Sequence, residues 1–147
     1  MMRYLTIILI MMMMVSCGSR NLDEKIIDRY PDDTPKRAQY FSGEGADQQL
    51  VKEISYYEDG QKRVEGHFNA DGLKDGKWIY WYPNGNKWSE GYFSEGLNHK
   101  KRTTYHENGE KHYEGKYDMG QRTGLWKFYS DEGKLLKEID YDKELED

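Results

Sequence analysis

Glutamates recur at a nearly constant interval along the chain, at Glu65, Glu90, Glu114 and Glu138. Two kinds of chemistry use several carboxylates, namely a cation site and the pair of acids of a glycoside hydrolase. If each glutamate lies on every second strand of a sheet, neighbours are about 10 Å apart. That separation is too long for one Ca²⁺ ion and exceeds the roughly 6.5 to 9.5 Å of an inverting pair. The spacing therefore favours ion pairs with Lys and Arg on the intervening strands.

The four histidines do not have a spacing typical of a zinc site. His106 and His112 flank the turn Glu107-Asn108-Gly109 and are predicted to face each other across a hairpin. The chain also lacks Ser-His-Asp, Cys-His, phosphate-loop and dinucleotide motifs. The sequence thus predicts a non-catalytic protein with no metal and no cofactor.

The elements that position these side chains follow from a repeat of glycines. The turn glycines Gly60, Gly85, Gly109 and Gly133 are separated by 25, 24 and 24 residues. Two further glycine columns and an aromatic column share this period. Their members are Gly66, Gly91 and Gly115, then Gly76 and Gly124, and then Trp78 and Trp126, with Tyr80 two residues after Trp78.

Between the turns the segments are short and alternate in polarity, as half-buried strands do. The sequence predicts an all-β fold, a single elongated antiparallel meander of stacked β-hairpins over residues 50–147, with three to four repeats of 24 to 25 residues. A glycine inside a strand, such as Gly66, is expected where an aromatic ring of a neighbouring strand lies over the backbone. Trp78 and Trp126 are the candidate rings.

These motifs resemble a known family. Gly76-Lys77-Trp78-Ile79-Tyr80 and Gly124-Leu125-Trp126-Lys127-Phe128, with the preceding Glu-Gly-x-aromatic pattern, are similar to the MORN repeat, specifically its bacterial variant. The resemblance covers about residues 50 to 142, and the middle copy departs from it at 100–104, where weaker packing is expected. The resemblance also implies one function, because many bacterial proteins of this repeat are described as antitoxins of toxin–antitoxin pairs.

The N-terminus has the layout of a secretory signal over residues 1–16, with Arg3 followed by an apolar run from Tyr4 to Val15. The run ends at Ser16-Cys17, which resembles a bacterial lipobox, so Cys17 is the predicted lipidation site. Residues 17–49 are predicted to form the lipidated N-terminus and a flexible linker, and a degenerate first repeat over residues 36–49 is left open. The expected location is the bacterial cell envelope, on the outer membrane or a periplasm-facing membrane in a Gram-negative cell.

The net charge of the chain limits the classes of partner that it can bind. The chain carries a net charge of −5, which argues against nucleic acid and leaves the lipid anchor as the contact with membrane. The best supported function is a scaffold that binds another protein, and an envelope-acting immunity protein is the alternative within that class. Glycan or cell-wall binding through exposed rings is a further alternative, with Trp81, Trp88 and Tyr92 as the candidate surface.

Overall fold

A computed structural model describes residues 22–143 of the 147-residue chain. The predicted signal peptide and Cys17 lie outside the described residues. The described part is one antiparallel sheet in which every strand pairs with its neighbour in the chain, and it contains no α-helix. The ten strands are β1 (Asp23–Arg29), β2 (Pro35–Ser42), β3 (Gln49–Tyr56), β4 (Lys62–Phe68), β5 (Lys74–Trp81), β6 (Lys87–Ser94), β7 (Leu97–Tyr105), β8 (Lys111–Asp118), β9 (Gln121–Tyr129) and β10 (Leu135–Asp140).

The predicted meander is confirmed, and its hairpin turns follow one design. At the β3–β4 turn, the Gly60 N–H donates to the Tyr57 carbonyl, and the Tyr57 N–H donates to the Gln61 carbonyl. Gly60 has a φ of 81°, a left-handed conformation that glycine adopts without steric cost. The side chain of Asp59 accepts from the Gln61 N–H and fixes the turn. The later turns repeat the backbone bonds with glycines of φ 79° to 92°, at Gly85, Gly109 and Gly133.

The two faces of the sheet have different side chains because successive residues of a strand alternate. One row across the sheet pairs Glu65 with Ile79, Ile79 with Glu90, and so on to Glu138. We call the side that bears this row the carboxylate face. The opposite side carries Trp78 and Trp126, and we call it the tryptophan face.

The tryptophan face contains the largest core side chains. Trp78 covers Gly66, and Trp126 covers Gly115, so closely that a Cβ at either glycine would lie 2.0 to 2.6 Å from indole carbons. Each indole Nε1–H also donates to a carbonyl of the preceding strand, at His67 or Lys116. The prediction that rings cover the strand glycines is confirmed at these two sites, where Trp78 is 2% and Trp126 0% exposed.

The linker predicted over residues 17–49 is wrong for residues 23–42, which form the hairpin β1–β2. This hairpin lacks the glycine period, so the repeat pattern of the sequence did not predict it. Its place is set by an apolar row that continues the carboxylate face, in which Ile26 pairs with Ala38 and Ala38 with Ile54. Ala38 and Ile54 are 0% and 5% exposed. From β3 onward the sheet has four hairpins, in agreement with the three to four repeats predicted for residues 50–147, and β1–β2 is a fifth.

Candidate functional site

The glutamates of the carboxylate face are held by lysines. Glu90 accepts from Lys77 at 3.0 Å and from Lys87 at 3.1 Å, and Glu114 is held in the same way by Lys101 and Lys111. One lysine of each pair lies on the preceding strand, and the other lies three residues earlier on the glutamate's own strand. Equivalent contacts are made by Lys52 and Lys62 to Glu65, and by Lys127 to Glu138. The predicted cross-strand ion pairing is confirmed.

Two tyrosine hydroxyls complete the inner clusters. Tyr105 and Tyr129 donate to Glu90 and Glu114, each at 3.0 Å. Burial by itself raises the pKa of these carboxyl groups, but the hydrogen bonds from the lysines and the tyrosine outweigh it and lower the pKa of each to about 2. At Glu65 the strand pairing places Trp81 where the later hairpins have Tyr105 and Tyr129.

These shifts decide what chemistry the glutamates support. A general acid at neutral pH needs a carboxyl pKa raised toward 7. Glu90 and Glu114 shift in the opposite direction and are therefore fixed as anions. The arrangement suits electrostatic organisation of a surface, and it does not suit proton transfer.

Lysines and aromatic rings alternate along the row next to the glutamates. Trp81 pairs with Lys87 and Tyr105 with Lys111 across their hairpins, and Tyr56 pairs with Lys62 in the same way. The rings are half-buried and the three lysine side chains are exposed. The glutamate period drew attention to this face from the sequence, but the lysine three positions before Glu65, Glu90 and Glu114 was a signal that sequence reasoning did not use.

Two grooves lie side by side on this face. The first, of about 220 Å³, is lined by Lys77, Glu90, Gly91, Tyr92, Lys101, Thr103, Tyr105 and Lys111. The second, of about 280 Å³, shares Lys101 with the first and is lined further by Glu114, Gly115, Lys116, Leu125 and Lys127. No histidine lines either groove.

The three rings predicted as a binding surface do not share one face. Trp88 is the extra residue of a β-bulge, because Tyr80 pairs with Ser89 while Trp81 pairs with Lys87. The bulge turns Trp88 to the tryptophan face, where its ring lies edge-on to Tyr80 at 5.7 Å between centroids. Strand alternation places Trp81 and Tyr92 on the carboxylate face, and Tyr92 lines the first groove.

The hairpin β7–β8 departs from its neighbours on the tryptophan face, as the sequence predicts. Arg102 occupies the tryptophan column and covers Gly91 with its aliphatic stem, so the ring expected over that glycine is absent. Lys100 has a φ of 60°, where Gly76 and Gly124 have 69° and 63°. Within the described residues, the buried hydroxyls of Ser89 and Thr104 lack hydrogen-bond partners. These features show how this copy departs from the repeat, and its weaker packing stays a prediction.

His106 and His112 lie together as predicted, with 4.4 Å between ring centroids. Burial and the neighbouring His106 lower the pKa of His112, which favours its neutral form. Within residues 22–143, no group of three or more His, Cys, Asp and Glu side chains is placed to hold a metal ion. In the same residues no helix has the length and hydrophobicity to cross a membrane.

His106 belongs to a ladder that joins successive hairpins, which the sequence analysis did not identify. The Tyr57 hydroxyl donates to the Trp81 carbonyl, and the Tyr82 hydroxyl donates to the Tyr105 carbonyl. Tyr30 makes the same bond to Tyr56, and His106 Nε2 lies 3.1 Å from the Tyr129 carbonyl. Ser130 occupies the corresponding position in the last turn.

Comparison with known families agrees with this architecture. The model of the MORN repeat variant matches residues 50–70, 74–95 and 122–143, which correspond to hairpins β3–β4, β5–β6 and β9–β10. No match covers β7–β8, the hairpin with Arg102 and Lys100 in place of tryptophan and glycine. A comparison with curated proteins found no significant match. Three of the five hairpins of the sheet are therefore similar to the MORN repeat variant, a repeat that generally serves in protein and membrane interaction.

Proposed function

We propose that this protein is a non-catalytic, lipid-anchored protein of the bacterial envelope whose repeat sheet binds another protein. The single observation that supports it is the open one-layer sheet, in which large apolar side chains remain exposed along the whole length. Those most exposed include Leu136 at 64%, Leu125 at 48%, Leu97 at 46% and Trp88 at 45%. Such residues on a sheet with two open faces favour a role in interaction.

The anchor rests on the sequence, because residues 1–21 lie outside the described part. The apolar run that ends at Cys17 supports cleavage and acylation there. Replacing Cys17 by Ala is expected to abolish incorporation of labelled fatty acid and to release the protein from the membrane fraction. Ser19→Ala is the matched control and is expected to be labelled normally. Undiminished labelling of Cys17→Ala contradicts the anchor.

The partner is tested with a photo-crosslinking amino acid placed in the sheet of the protein in living cells. A probe at Trp88, exposed on the tryptophan face, is expected to trap one partner reproducibly, whereas a probe at Glu58 in a hairpin turn serves as the control. A trapped toxin, whose expression kills cells that lack this protein, supports the immunity-protein alternative. Absence of any specific adduct from probes at Trp88, Leu97 and Leu136 contradicts the scaffold.

A further inference from the structure

The carboxylate face concentrates positive charge on an acidic chain. The clusters of Glu65, Glu90 and Glu114 place six ammonium groups against three carboxylates, a charge of +3, while the whole chain carries −5. The lysines involved are Lys52, Lys62, Lys77, Lys87, Lys101 and Lys111. Each of these glutamates carries one negative charge and contacts two lysines. One positive charge per hairpin therefore remains for a ligand. The face is therefore complementary to a linear anion with regularly spaced charges.

The spacing of these charges distinguishes between linear anions. Successive clusters are two strands apart, which is about 10 Å. Side chains on one side of an extended peptide repeat at about 6.6 Å, so an acidic peptide does not keep register with the clusters. Two sugar units of an extended polysaccharide have a length close to the cluster spacing. A chain with an acid group on its sugars therefore keeps register over several hairpins.

The grooves between clusters have the surfaces that a sugar ring needs. In the first, Tyr92 and Gly91 line the groove together with Thr103, Lys77 and Lys101. In the second, Leu125 and Gly115 take the corresponding places beside Lys101 and Lys127. A pyranose presents an apolar ring face and a rim of hydroxyls, and both grooves combine apolar and charged walls.

Two other anionic partners fit less well. Lysines also hold phosphate-rich chains, as point charges, but a phosphate backbone has no apolar ring face to lie beside Tyr92 and Leu125 in the grooves. A membrane surface is held by apolar side chains that project beyond the charges. On this face Leu125 is exposed, but the ring of Tyr105 lies half-buried, with its hydroxyl held by Glu90.

We infer that the carboxylate face binds an extended acidic polysaccharide, with one uronate-type carboxylate at each Lys–Glu–Lys cluster and sugar rings in the grooves beside Tyr92 and Leu125. This goes beyond the proposed scaffold role. It requires neither the anchor at Cys17 nor a protein partner, so either proposal can fail without the other.

The test uses the full chain and a defined oligogalacturonate, with binding measured by calorimetry at low and at physiological salt. The fully methyl-esterified oligosaccharide is the ligand control, since it keeps the rings and loses the charges. We expect the acid to bind with an affinity that falls as salt rises, and the ester to bind at least about tenfold more weakly. Equal binding of acid and ester, or no binding of the acid, overturns the inference.

Variants locate the site. Lys77→Gln combined with Lys101→Gln is expected to weaken binding about tenfold or more, whereas Lys134→Gln, at the β9–β10 turn, is expected to leave it unchanged. Tyr92→Ala keeps every charge and is expected to weaken binding severalfold. Equal losses in Lys134→Gln and in the double variant contradict the site.

Two further measurements do not depend on the variants. Amide chemical-shift changes in the unaltered protein are expected to cluster at Gly91, Tyr92, Thr103 and Gly115, and changes confined to other residues overturn the assignment. Anionic vesicles and a short single-stranded DNA are the competing polyanions. If either binds as tightly as the oligogalacturonate, the face is a general polyanion surface and the inference is wrong.

Discussion

Trp126 lies directly over Gly115, and a Cβ built on that glycine would be 2.2 Å from the indole Cδ2. The contact explains why a strand interior retains a residue that weakens strands elsewhere. Arg102 makes the corresponding contact with Gly91, but there the nearest atom is a side-chain Cγ at 3.2 Å. The two glycines therefore occupy equivalent positions, but the rigid indole of Trp126 packs on one and the flexible side chain of Arg102 on the other.

Gly115→Ala is expected to lower the free energy of unfolding by about 1 to 3 kcal/mol, because the added methyl group displaces a packed indole. Gly91→Ala is the matched control and is expected to change stability by less than about 1 kcal/mol, because the stem of Arg102 can shift and alanine reduces the entropy of the unfolded chain. Urea unfolding followed by circular dichroism measures both. Equal losses contradict the difference in rigidity.

Lys100→Gly is expected to stabilise the protein by about 0.5 to 1 kcal/mol. Lys100 has a φ of 60°, a conformation that costs a residue with a Cβ about 1 to 2 kcal/mol. Glycine removes this cost, but its larger conformational entropy in the unfolded chain offsets part of the stabilisation. Lys101→Gly, at the next position, is expected to destabilise. Thermal unfolding of the two variants compares them directly, and a lower midpoint for Lys100→Gly would show that the lysine is not strained.

Stability is expected to fall in acid as the glutamate clusters lose their charge. The folded-state pKa of Glu90 and of Glu114 is about 2, below the ordinary value of 4.5. Their stabilising contribution is therefore complete above about pH 4.5 and is lost as the pH falls toward 2. After allowance for solvent screening, we expect on the order of 1 to 2 kcal/mol from each.

The check is the pH dependence of the unfolding midpoint in Glu90→Gln combined with Glu114→Gln. This variant is expected to be less stable at pH 7 and to lose less stability between pH 4.5 and 2. Glu132→Gln, at an exposed turn, is the control and should follow the unaltered protein. The same acid dependence in all three proteins contradicts the role of the clusters.

The ladder bonds are each expected to contribute about 1 kcal/mol, as hydrogen bonds to buried carbonyls do. Tyr82→Phe removes the hydroxyl that donates to the Tyr105 carbonyl at 3.0 Å and keeps the ring. Tyr92→Phe removes an exposed hydroxyl on the same hairpin and is expected to be neutral. Hydrogen exchange of the β6 and β7 amides should be faster only in Tyr82→Phe, and unchanged exchange there rules out the ladder as a coupling between hairpins.

Much of this fold was predictable because the sequence repeats its own constraints. Turn glycines such as Gly85 and the ion pairs of Glu90 follow from local spacing and strand alternation. The hairpin β1–β2 was not predictable in this way, since its contact with the sheet through Ala38 is apolar and has no glycine signal.

The site was predictable only in part. The position of Trp88 on the tryptophan face depends on a bulge, which reverses the alternation that sequence reasoning assumes. The shape of the two grooves depends on which lysine contacts which glutamate. These contacts are determined by the pairing of the strands, which the sequence does not give residue by residue. The family matches likewise leave out residues 96–121, where Arg102 replaces tryptophan. Similarity alone therefore does not describe the β7–β8 hairpin.

The ladder also gives the sheet a direction. Each turn side chain, from Tyr30 to His106, bonds to a carbonyl of the hairpin that follows it in the chain. During synthesis on the ribosome, a hairpin therefore remains one bond short until its successor has emerged. The sheet is completed from the N-terminus onward, and within the described residues Ser130, in the β9–β10 turn, is the position at which the series of ladder bonds ends.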